Sequence, residues 1–149
     1  DALEALIKLG NSSEEVQQGL LNIVKNQSDD SSMRSDALEA LIKLGNSSEE
    51  VQHELLTIIQ NQNDDYRVRG NVAKALGTLG NISEEVEQEL LTIIQNQNHH
   101  SWVRYNAAEA LNKLGKNLEE VKKSLQSLTT DNYVGHEAAE LLKKLRNDS

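Results

Sequence analysis

Two adjacent histidines, His99 and His100, stand just before Trp102 and have the widest chemical reach of any side chains in this sequence. Imidazole can bind a metal ion or change charge near neutral pH. A metal site needs several converging ligands. This chain has no cysteine, no third histidine lies close in sequence, and neighbours on a helix point in different directions. A charge change fits better. Asp29-Asp30 and Asp64-Asp65 occupy the equivalent places elsewhere, and protonation near pH 6.5 puts positive charge beside Arg104 instead. The spacing therefore predicts pH-dependent docking between the third and fourth units of the chain. Carboxylates are the other candidates, in the pairs Glu14-Glu15, Glu49-Glu50, Glu84-Glu85 and Glu119-Glu120. They recur too regularly to be an acid/base pair. Each stands at a helix start, where negative charge complements the helix dipole. No cysteine or serine has a plausible base beside it in a repeated motif, so neither catalytic residues nor a cofactor or metal is expected.

The elements that carry these residues are internal copies. Residues 1–16 recur unchanged as 36–51, which sets a period of 35. Gly10, Gly45, Gly80 and Gly115 keep that register, as do Val16, Val51, Val86 and Val121, and Leu20, Leu55, Leu90 and Leu125. The units are 1–35, 36–70, 71–105 and 106–136. The last is shortened by four residues before Tyr133, and a closing helix follows at about 133–146. Within a unit, Val68, Val72, Ala75, Leu76 and Leu79 mark one face of a first helix that Gly80 ends with a left-handed residue. A second helix starts at Ser83, or at Ser12 or Ser13 in the first unit, and carries Val86, Leu90, Leu91, Ile93 and Ile94 on one stripe. Asn117 keeps a polar cap in the fourth unit, and Ser101 is expected to cap the helix after the histidines. Two short amphipathic helices cannot bury their stripes alone, so units must stack. The expected fold is all-α: one α-solenoid domain of four tandem ~35-residue helix-turn-helix repeats plus a closing helix, over residues 1–149.

Composition narrows the function. The formal charge is −9, which disfavours nucleic acid and anionic membranes as partners. The cations gather late, at Lys113, Lys116, Lys122, Lys123, Lys143, Lys144 and Arg146. No apolar run approaches the roughly 20 residues that span a bilayer, so a cytoplasmic location is expected. The start at Asp1 points to a fragment of a longer protein.

Asp64-Asp65-Tyr66-Arg67-Val68-Arg69 through Ala73-Lys74-Ala75-Leu76-Gly77-Thr78-Leu79-Gly80 resembles the HEAT-like repeat of bacterial scaffold proteins and phycobilisome lyases. The shared hallmarks are an aspartate before the first helix, a Val-Arg pair in its first turn, a small-residue face and a Leu-Gly end. The resemblance covers the whole chain. It implies a superhelix that binds a protein or peptide along a concave face lined by second helices, without enzymatic activity. It also implies two other contexts, a sensor arm of a NACHT-type signalling ATPase and a phycobilin lyase-like subunit.

Three features bear on that expectation. Asp30 and Arg34, like Asp65 and Arg69, are four apart, so each pair either meets at a helix start or lets its arginine reach the next unit's loop. Such contacts would form a ladder that fixes the angle between units. Gly135 breaks it by replacing the last arginine. The partner-binding surface is expected on the exposed side of the second helices, as rows of mostly uncharged hydrogen-bonding side chains. These are Gln18, Asn22 and Lys25, then His53, Thr57 and Gln60, then Gln88, Thr92 and Gln95, then Lys123, Ser127 and Thr130. Finally, Leu3, Ile7, Leu38 and Ile42 extend the apolar stripe of the first two outer helices, where later units carry Ala73, Gly77, Ala108 and Asn112. They form a candidate outer interface, open to missing upstream repeats or to a homodimer, unless the larger residues only fill wider gaps.

Overall fold

A computed structural model describes residues 14–45 and 47–147. Among the described residues there are eight α-helices and no strand: α1 Glu14–Lys25, α2 Ser31–Lys43, α3 Glu49–Gln60, α4 Tyr66–Leu79, α5 Glu84–Gln95, α6 Ser101–Lys113, α7 Leu118–Leu128 and α8 Gly135–Asn147. The chain is an α-solenoid of helical repeats. First helices α2, α4 and α6 pack side by side in one layer, and second helices α3, α5 and α7 do so in the other. Each of α1, α3 and α5 also packs on the first helix that follows it, and α8 closes the stack against α7. Between the layers lie Leu41, Leu55, Leu76, Leu90, Leu111 and Leu125, all fully buried. Each such side chain contributes about 1.5–3 kcal/mol by leaving water.

Local chemistry sets the helix ends. Ser48 and Ser83 accept hydrogen bonds from the backbone N–H of Val51 and Val86, at 3.3 and 3.2 Å. Asp30 accepts from Met33 N at 3.0 Å and Asp65 from Arg67 N at 2.8 Å. Gly45, Gly80 and Gly115 have φ of 72°, 75° and 69°, the left-handed conformation that closes a first helix.

Two caps differ from the sequence expectation. The cap of α6 is His100, whose Nδ1 accepts from Trp102 N at 3.0 Å, and Ser101 is already in the helix. An imidazole nitrogen can replace an aspartate oxygen as acceptor at that position. At α7, Asn117 occupies the cap position but makes no side-chain cap bond. Its backbone is left-handed (φ 54°), and its side chain donates instead to Glu87 Oε1 at 3.2 Å. The closing helix starts at Gly135, because Asp131 holds the preceding residues in a turn by accepting from Tyr133 N and Val134 N at 2.7 and 3.0 Å.

Candidate protein-binding face

The residues expected on the binding face are all exposed: Gln18, Asn22 and Lys25 on α1, His53, Thr57 and Gln60 on α3, Gln88, Thr92 and Gln95 on α5, Lys123 and Ser127 on α7, and Thr130 in the turn beyond the end of α7. Their helices turn these residues outward because the apolar stripes beneath them, including Leu55, Ile58 and Ile59 on α3 and Leu90, Ile93 and Ile94 on α5, are buried. The hydroxyls are not idle. Thr57 Oγ1 donates to His53 O at 3.0 Å and Thr92 Oγ1 to Gln88 O at 2.9 Å. Both therefore turn their hydrogen inward and present a methyl group and an acceptor to solvent. Gln18 donates to Asn22 Oδ1 at 3.0 Å. Lys25 reaches across to Glu54 of α3 at 2.7 Å, and His53 Nδ1 lies 3.9 Å from Glu85 of α5.

Two ladders hold these helices in register. In the first, Arg34 donates through Nε to Val24 O at the end of α1 and grips Asp64 with two bonds of 2.6 and 2.7 Å. Arginine thus reaches the next loop, one of the two geometries its spacing allows. It is 2% exposed, and its carboxylate partner is buried with it. Arg69 repeats the arrangement, donating to Ile59 O through Nε and Nη2 at 2.9 and 2.7 Å and meeting His99 Nδ1 at 2.8 Å. His99 is buried, with its imidazole in contact with Arg69, and Arg104 lies near enough to act on its charge. Burial, then the charge of Arg69, hold its pKa below the usual 6.5, although Glu89 pulls the other way. The third rung is incomplete. Arg104 Nη2 donates to Ser127 Oγ at 3.2 Å, and its Nε is buried with no hydrogen-bond partner among the described residues. No fourth rung forms at Gly135, where a Cβ would sit 2.7 Å from Thr129 O.

The second ladder was not read from the sequence. The Gln52 amide donates to Ser47 O and Asn81 O at 2.7 and 2.8 Å, and its oxygen accepts from Ser83 N at 2.8 Å. One period later Glu87 accepts from Asn117 and pairs with Lys116 at 3.5 Å. Its trace in the sequence is the position after each repeated valine, Gln17, Gln52, Glu87 and Lys122. The changing chemistry there makes it resemble ordinary surface variation.

His100 lies at the edge of the stack. Its ring is stacked on Tyr66 with centroids 3.9 Å apart, and the exposed Tyr133 meets it edge-on at 5.1 Å. Both histidines spend Nδ1 on the protein, and among the described residues no group of three or more His, Asp or Glu side chains could hold a metal ion. Of the outer-interface candidates, Leu3 and Ile7 lie outside the described residues. Leu38 is buried at 3% exposure, and Ile42 is half-buried. Both line an open cleft of about 510 Å³ between α2 and α4, with Ala75, Asn71 and Lys74 opposite.

Stacked helical units, each packed on its neighbour, are the architecture of HEAT arrays. The family model for HEAT repeats matches residues 53–148. This chain belongs to the HEAT repeat family. No curated protein matches it. HEAT repeats commonly serve as protein-interaction scaffolds. None of its described helices is long and apolar enough to cross a membrane.

Proposed function

We propose that this HEAT array is a non-enzymatic scaffold that binds a protein or peptide along its second-helix face. The observation that supports this most directly is the outward alignment of His53, Thr57 and Gln60 on α3 with Gln88, Thr92 and Gln95 on α5. The two helices lie side by side in the same layer, so these residues form continuous rows. Because Thr57 and Thr92 keep their hydroxyl hydrogens on their own helices, the centre of the face offers acceptors and methyl groups. A partner that brings backbone or side-chain N–H donors fits such a surface.

The test uses photo-crosslinking residues at Gln60 and Gln95, with a control at Lys74 on α4, followed by the double variant Thr57→Arg, Thr92→Arg. A partner crosslinked from the second helices and lost in the double variant, at unchanged melting temperature, is the expected result. Undiminished capture by the arginine variant would sink the assignment. Exposed substitutions of this kind change stability by no more than about 0.5 kcal/mol.

A further inference from the structure

The arginine ladder is built from the same residue type at each rung, yet its acceptors differ in kind. Asp64 faces Arg34, and His99 faces Arg69. Arginine has no acceptor atom and remains protonated, so the 2.8 Å approach of its Nη2 to His99 Nδ1 requires a lone pair on that nitrogen. The imidazole must be neutral, with its proton on Nε2. A protonated imidazole donates from both nitrogens, so turning the ring over cannot restore an acceptor. We propose that the α4/α6 junction is a proton-sensitive joint, which neutral His99 holds closed through Arg69 and which protonation of His99 loosens.

The surroundings of His99 make the joint one-sided. From α4 it faces Arg69, from α6 Arg104, and from α5 Glu89. Two cations and burial oppose a proton, and one carboxylate favours it; the net displacement is downward from 6.5. The stabilisation that neutral His99 supplies is therefore complete above about pH 6.5 and is lost as pH falls from there through the lower folded-state value. Arg69 keeps its bonds to Ile59 O in either state, so α4 stays attached to α3 while its hold on the α5–α6 loop is released. The Arg34–Asp64 rung contains no imidazole and does not respond in this way. His100 is also displaced downward, by burial first, but it faces Tyr66 and Tyr133 and caps α6 rather than bridging to an arginine. It adds to acid sensitivity without forming the joint.

Three variants of the full chain separate these roles: His99→Asp, which copies the Arg34–Asp64 pair, His99→Gln, which keeps an acceptor that cannot titrate, and His100→Asn, which keeps a cap. The parent is expected to lose roughly 2–4 °C more of melting temperature between pH 7.5 and 5.5 than either position-99 variant. His100→Asn should retain the larger part of the parent's loss. In the parent, amide protection relative to the intrinsic exchange rate at each pH should fall between pH 7.5 and 5.5 in α4, α6 and the loop between α5 and α6, and not in α1 or α2. Independently of any variant, the His99 ring in a proton NMR titration should titrate below 6.5. Equal pH responses in the parent and both position-99 variants, transfer of the whole effect to His100→Asn, or a His99 ring titrating at or above 6.5 would each overturn the proposal.

Discussion

The junction of α2 with α4 and that of α4 with α6 are built from equivalent positions and differ in almost every physical respect. At the first, Leu38 and Ile42 hold the helices apart, Asn71 reaches Ser35 Oγ at 2.9 Å, and a cleft of about 510 Å³ remains. At the second, the small residues let the helices close. A Cβ added at Gly77 would sit 2.8 Å from the Cα of Ala110, and one at Gly70 would collide with the indole of Trp102. The rungs differ to match, a buried ion pair at the wide junction and a cation against a neutral ring at the tight one. The contrast teaches that in a repeat array the spacing of neighbours is set by side-chain bulk at a few facing positions. The polar ladder then supplies direction rather than closeness.

The largest expected effect comes from unbalancing the wide junction's rung. Asp64→Ala leaves Arg34 buried without its countercharge and should cost about 3–5 kcal/mol in denaturant unfolding. His99→Ala at the tight junction should cost less, about 1–3 kcal/mol, because only a neutral acceptor is lost and Ile59 O remains. Equal costs would erase the distinction between the rungs. Of similar size is Gly77→Leu, which forces α4 from the α6 backbone and should cost about 1–3 kcal/mol by overpacking. The reverse exchange in the wide junction, Ile42→Gly, is better accommodated there because the cleft is already open. If Gly77→Leu melts like the parent, bulk does not set the spacing. The smallest effect is expected from Ile42→Lys. With Leu38 already buried and Ile42 half-buried, lysine can lay its stem along the cleft and keep its ammonium in water. The change in stability should stay near about 1 kcal/mol, and light scattering should return the parent's mass. A fall in mass would instead identify the cleft as a self-association surface.

Much of this was legible in the sequence, and the parts that were not share a cause. The identity of 1–16 with 36–51 gave the period, the Leu-Gly ends gave the left-handed turns, and the Asp/Arg spacing admitted the ladder. Helix-local information was enough for each of these. What joins one unit to the next depends on stacking direction, which no local pattern encodes. Arg69 and His99 are thirty residues apart and meet only once the stack is built, so the local sequence points to Arg104 beside His99 and not to the Arg69 contact as well. The Gln52 clamp escaped notice for a similar reason, since its partners are backbone atoms with no residue-type signature. Asn117 looked like a cap by type, yet Glu87 draws its side chain away.

The difference between Gln52 and Glu87 also governs how such an array can change. Gln52 holds only main-chain atoms of the following unit, which any sequence presents, so it acts as a universal coupling. Glu87 requires Lys116 and Asn117 on its neighbour and acts as a keyed one. A foreign unit spliced after α3 would need no particular side chain to engage Gln52, only an acidic residue to meet Arg34, whereas one spliced after α5 would have to carry the matching pair for Glu87.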